Sequence, residues 1–157
     1  MKSNPPEIET KLLADDGRFP NNPHLPLTVA RQLLPADSGA EVFEDLFRRN
    51  GWMPAWRAGI FDFDHYHSSA HEVLGCFRGS ACLQFGGAQN YRVSVQAGDA
   101  VVIPAGVAHR CLKDNQFLCV GAYPLGQSWD TCTGQPSERP DADQRILSLG
   151  PWESDPF

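Results

Sequence analysis

Three imidazoles and one carboxylate stand in this chain at spacings that suit a metal centre. Read from Gly59, five residues lead to His65-Tyr66-His67, four more to Glu72 and six more to Gly79. Gly98 follows nineteen positions on, then five residues, Pro104-Ala105-Gly106, two residues and His109. Imidazole with carboxylate favours one divalent first-row transition metal, and Fe, Mn, Co, Ni and Zn all accept that set. Four protein ligands on an octahedral ion leave two positions open for a chelating substrate, such as a hydroxy acid or dicarbonyl, or for a substrate plus dioxygen. Three inward histidines without a metal would each need a buried acceptor, or would carry a charge out of water at a cost of several kcal/mol. A lone strand histidine is more often structural, and His24 and His71 take that reading first. His71, next to Glu72, faces away from the metal in a regular strand; at the pocket mouth it would instead be the one candidate acid/base, since an ordinary imidazole titrates near about 6.5.

Strand arithmetic says what must position these groups. Side chains alternate faces, so His65 and His67 share a face with Phe61 and Phe63, while Asp62, Asp64 and Tyr66 take the other. Imidazoles in and polar residues out is the pattern of a half-buried strand. Ser68-Ser69-Ala70 gives room for a bend before Glu72-Val73-Leu74-Gly75-Cys76-Phe77, which returns the carboxylate to the same interior. Phe61, Phe63, Leu74 and Cys76 share the inward phase and Cys111 follows His109 by two. That predicts a mostly apolar cavity with thiols near the metal and a small organic molecule as ligand. Arg57, Arg78 and Arg110 are candidates for a carboxylate clamp, with surface arginine as the default.

These spacings resemble the two motifs of the cupin superfamily, with one departure. Where the second motif closes on an Asn four residues after its His, this chain has Lys113, and Asn115 comes two further on. The likeness continues through Asp15-Asp16-Gly17-Arg18, His71-Glu72-Val73-Leu74-Gly75, Pro104 to His109, Val120-Gly121-Ala122-Tyr123-Pro124 and Asp155-Pro156, where the chain looks like the YjlB-type cupins. The resemblance implies an all-β fold, a double-stranded β-helix or jelly-roll barrel holding a metal through His65, His67, Glu72 and His109, and a homodimer. It implies no particular substrate.

At 157 residues the chain is near the commonest domain size and can bury a core without crosslinks. A single cupin domain over 1–157 is expected, with N-terminal strands and a helix in 1–51, the barrel core in 52–123 and a Pro-rich C-terminal wrap in 124–157. Between Thr10 and Leu34, short apolar pieces mixed with Pro20, Pro23 and Pro26 predict edge strands and loops packed outside the barrel. Ser38 and Glu41 form a capping box, and Val42, Phe43, Leu46 and Phe47 then make an apolar stripe that Asn50-Gly51 stops, predicting one short helix. After Trp52, turns at Arg78-Gly79, Gly86-Gly87 and Ala97-Gly98 separate the runs Ala81 to Phe85, Tyr91 to Gln96 and Val101 to Ile103, as in an antiparallel sandwich or barrel. Trp129, Trp152 and Phe157 would gain from docking and predict an ordered wrap.

A net charge of −6 with scattered arginines offers no basic stripe for nucleic acid, and no helix-turn-helix signature accompanies the barrel. Met1-Lys2-Ser3-Asn4-Pro5-Pro6 contains no apolar targeting segment and no apolar run is long enough to cross a bilayer, so a cytoplasmic protein without a membrane partner is expected. Five cysteines without a CxxC pair read as reduced thiols. The expected function is metal-dependent small-molecule chemistry, either a dioxygenase-like oxidoreductase or an isomerase/lyase that polarises a carbonyl. The alternative is a non-catalytic metal- or ligand-binding module. Because coordination needs neutral His and ionised Glu, metal affinity and thermal stability should fall together below about pH 6.

Overall fold

A computed structural model describes residues 4–157. The chain runs β1 (Glu7–Leu13), β2 (Asn22–Arg31), α1 (Gly39–Arg49), β3 (Trp52–Ala58), β4 (Glu72–Phe85), β5 (Tyr91–Gln96), β6 (Ala100–Ile103), β7 (His109–Pro124) and α2 (Asp141–Leu149). The strands pair antiparallel in the order β1-β2-β6-β4-β7-β3, with β5 also on β4.

The two longest strands, β4 and β7, make a ribbon that pairs from Val73↔Ala122 to Phe85↔His109. On the other side of β4, β6 covers its first part and β5 its second. A straight strand of that length would span roughly 40 Å. Glu72 begins β4 and His109 pairs with Phe85 at the far end, yet their side chains approach to 3.5 Å. The ribbon therefore folds back on itself and closes the barrel. Its bend lies where the register slips between Cys76 and Ser80. Gly79 sits there with φ +66°, and a Cβ would lie 2.2 Å from the Asn115 carbonyl oxygen, so no other residue fits. Arg78-Gly79 is thus a bend inside one continuous strand and not the turn its sequence suggests, whereas Gly86-Gly87 and Ala97-Gly98 do lie between strands.

Around the bend, several strands are buried on both faces, which explains their runs of Val, Ile and Ala. Leu74, Cys76, Val101, Ile103 and Cys119 fill the interior, and Val73, Ala100, Val102, Val120 and Ala122 lie on the outer face beneath α1. Helix α1 buries Ala40, Phe43 and Phe47, positions that fall on one face at the helical period. Val42, expected in that stripe, is exposed. The capping box does not form: Ser38 is already helical at φ −66° and ψ −28°, and its hydroxyl donates to the Pro35 carbonyl.

Two further expectations change. β2 is not outside the barrel but pairs with β6, and Leu27 and Val29 join Leu13 in the interior core. The C-terminal wrap is ordered, with Trp152 edge-on to Trp52, Trp52 Nε1 donating to the Ser154 carbonyl and the Asn50 amide to that of Pro156. It also contains α2, a second helix that sequence patterning missed because Ala142 alone is buried along it.

Phe43→Ala would leave a void between α1 and the sheet, and should lower unfolding free energy by about 3–5 kcal/mol. Val42→Ala should stay within about 0.5 kcal/mol. Urea midpoints of the two variants give the comparison.

Candidate metal centre

The His65-Tyr66-His67 segment is not a full strand; two isolated bridges hold it, His65 to His109 and Tyr66 to Cys132. Alternation survives across these three residues, with the histidines inward and Tyr66 turned away. That other face is covered too: Tyr66 is buried with Phe19, Ala108, Cys132 and Ala142, and its hydroxyl donates to Glu138. Upstream, Phe61 and Phe63 stack on one another at 4.9 Å, 57 % and 45 % exposed, and of the two Phe61 borders the cavity at the cluster.

His65, His67 and His109 are buried and bring one ring nitrogen each within 4.8 Å of the others. Glu72 joins them, with Oε2 3.3 Å from His67 Nε2 and Oε1 3.5 Å from His109 Nε2. The four side chains singled out by spacing therefore meet. Each of these histidines turns Nδ1 to a backbone carbonyl, His65 to Phe63, His67 to Asp130 and His109 to Val107. A carbonyl only accepts, so Nδ1 holds the proton of the neutral ring and the Nε2 lone pair faces the cluster, the tautomer a metal ligand needs.

Glu72 Oε1 and His109 Nε2 are buried without a hydrogen-bond partner. Such orphaned atoms are rare and costly. Two metal–nitrogen bonds of about 2.0–2.1 Å each reach across about 4 Å between donors, so the donor set and its scale fit a divalent ion. The other carboxylate oxygen is taken: Tyr123 donates to Glu72 Oε2 at 2.5 Å, and Trp56 Nε1 donates to the Tyr123 hydroxyl at 2.8 Å. Trp56 lies flush against Gly121, where a Cβ would come 2.1 Å from the indole.

Burial opposes charge on Glu72, but the His67 and His109 imidazoles and the Tyr123 hydroxyl outweigh it and hold the carboxyl at about 2. Burial also acts to lower His67, and the Glu72 charge reverses this and raises it. Desolvation prevails at His65, which is lowered, and at His109, pushed down to about 3.

His71 does not reach this cluster. Its Nδ1 accepts from the Ala105 amide at 2.9 Å and its Nε2 donates to the Gly150 carbonyl at 2.8 Å. That is the opposite tautomer, with both nitrogens committed to backbone, so the acid/base role considered for it has no free nitrogen. Burial lowers its pKa. His24 is exposed on β2.

A cavity of about 280 Å³ opens onto the cluster, walled by Trp56, Ile60, Phe61, Tyr123, Trp129 and Thr131. Leu74, Cys76 and Cys111 pack into the interior core instead, so the cavity is apolar as expected but aromatic, with no thiol on its wall. Sequence reasoning missed Tyr123, Trp129 and Asp130. Tyr123 shares strand phase with Cys119 and Gly121, and alternation carried along β7 could have placed it inward. Asp130 left no signal, although its carboxylate accepts the Ser68 and Ser69 amides at 2.6 and 3.2 Å and the Ser68 hydroxyl, and its carbonyl accepts from His67.

A closed antiparallel barrel that gathers three histidines and a glutamate from two stretches of chain has the architecture of a cupin, and the Cupin family model matches residues 64–120, which contain all four side chains. The Bacillus subtilis (strain 168) protein described as "Uncharacterized protein YjlB" is 42 % identical over 152 residues, covering 96 % of this chain and 90 % of that protein. The chain belongs to the cupins, among the YjlB-like members. Among solved structures, procruciferin, an 11S globulin from Brassica napus, aligns with 93 % of this chain at 17 % identity and a TM-score of 0.39, and the chain spans 32 % of that globulin. That likeness is too loose to argue from.

Two outcomes are expected. Tyr123→Phe should weaken metal affinity by about 10–100-fold, read by competition with a chromophoric chelator; unchanged affinity would mean that Glu72 is held without the phenol. The metal-free protein should lose stability in acid. Glu72, lowered from 4.5 to about 2, stabilises above 4.5 and loses that contribution as pH falls toward about 2. His109, lowered from 6.5 to about 3, folds neutral and so destabilises increasingly as pH drops from 6.5 toward about 3. These two signs agree, His65 is lowered in the same sense and His67, raised beside Glu72, opposes them, so Tm should fall as pH drops from about 6.5 toward about 3, less steeply in His109→Gln, in thermal melts with chelator present.

Proposed function

We propose that this protein is a metal-dependent enzyme acting on a small organic molecule that chelates the metal. His65, His67, Glu72 and His109 hold one divalent first-row ion drawn from Fe, Mn, Co, Ni and Zn. Two buried atoms without partners, Glu72 Oε1 and His109 Nε2, face each other across 3.5 Å and carry this reading. A purely structural cluster would satisfy both.

When bound, the ion supplies Lewis acidity toward a substrate oxygen and open positions for a chelate or dioxygen. The chain does the rest. Backbone carbonyls aim the three rings, Tyr123 occupies Glu72 Oε2 and leaves Oε1 for the ion, and the aromatic walls offer apolar surface to an organic ligand. Among the described residues, and apart from the four clustered side chains, Tyr123 is the one ionisable wall residue, and burial raises it far above neutrality. With no separate general base among those wall residues, the site suits chemistry driven by the ion over side-chain acid/base chemistry. That fits a dioxygenase-like oxidation or an isomerase/lyase reaction at a carbonyl.

Protein purified without added metal should carry about one ion per chain by elemental mass spectrometry, and His109→Ala should lose it. Oxygen uptake and product analysis against hydroxy acids and diketones then separate oxidation from isomerisation. Metal without turnover would favour a non-catalytic binding module, and a metal-free protein that takes up none of the five ions would overturn the proposal.

A further inference from the structure

Resting on that metal-dependent reading, we infer that the substrate is a small planar ring compound bearing adjacent oxygen donors and at most one negative charge, selected by Trp129 and Phe61. Three features of the cavity lead there.

The first is size. At about 280 Å³ the space falls just under the range of about 300–1,000 Å³ usual for ligand pockets, which suits a small molecule. The second is charge. Among the described residues no Lys or Arg lines the wall, and Arg57, the nearest of the candidate clamps in sequence to the wall residue Trp56, is exposed and engaged with Glu44 at 2.6 and 3.0 Å. Glu72 is itself an anion. With the ion's two positive charges set against it the site is left at a net charge of about +1, so a phosphate dianion or a second carboxylate would exceed that charge with no wall cation to partner it. The third is shape. Tyr123 and Trp129 stack at 4.5 Å with planes 7° apart, which makes one wall flat. Phe61, also on the wall, stands edge-on to His65 at 5.1 Å. Trp129 and Phe61 remain 46 % and 57 % exposed, so large aromatic surface at the entrance stays in water until a flat molecule covers it. Aliphatic hydroxy acids would leave that surface wet, and sugar phosphates would add charge the wall cannot meet.

The test starts from Co(II)-loaded protein, with metal content measured for wild type, Trp129→Ala and Phe61→Ala. 4-Nitrocatechol is then titrated against L-malate and phosphoglycolate, following nitrocatechol absorbance and tryptophan fluorescence. Nitrocatechol should bind at least about tenfold more tightly than either aliphatic anion, and each variant that retains cobalt should bind it about tenfold more weakly. Equal or tighter binding of malate or phosphoglycolate, or a nitrocatechol affinity unmoved in both variants, overturns the ring assignment while leaving the metal centre standing. Failure of the wild type to hold cobalt at the first step removes the metal reading and this assignment with it.

Discussion

Glu72 and His109 come from opposite ends of one two-stranded ribbon, and the 3.5 Å between their side chains is the contact on which the barrel's closure turns. β4 and β7 stay paired on both sides of the bend and slip register only between Cys76 and Ser80, so the fold brings the ends together while most of the ladder survives. Gly79 makes that possible by allowing the Asn115 carbonyl to approach where a Cβ would stand. A cation bonded to both ends would tie the closure shut. Binding to the folded chain alone would then couple occupancy to stability.

Around this contact, protonation states are arranged for a divalent ion. Burial drives His65 and His109 neutral and would drive Glu72 to its acid form, but His67, together with the Tyr123 hydroxyl, holds the carboxylate ionised. Only His67 retains a proton well, because Glu72 faces it, and that proton would leave when a cation takes its place. Ring orientation is set by three main-chain carbonyls, which move less than side chains do, so the cluster is built on the barrel's backbone.

What sequence could show follows from what is local. Period-two alternation and glycine spacing place His65, His67, Glu72 and His109 together because each clue needs only a few neighbouring residues. The same rule puts Phe61 beside the cavity, where it lies, but misplaces Phe63, since it assumes a strand where backbone bridging has nearly stopped; there the Cys111 amide reaches the Phe61 carbonyl and the Phe63 side chain stays off the cavity wall. Arg78-Gly79 shows the same limit. Glycine marks both turns and bulges, and only the partner strand, with Asn115 opposite Ser80, tells which. Asp130 is further beyond reach, because its bond to Ser68 joins residues 62 positions apart and no periodicity connects them.

That long reach has a consequence for how the protein is made. Both cupin motifs leave the ribosome before Asp130 does, and the carbonyl that aims His67 belongs to Asp130. All four candidate ligands are therefore synthesised before the group that orients His67, and an ion at this site would meet its full set of aimed rings only after Asp130 has docked, although the tail itself contributes no candidate ligand.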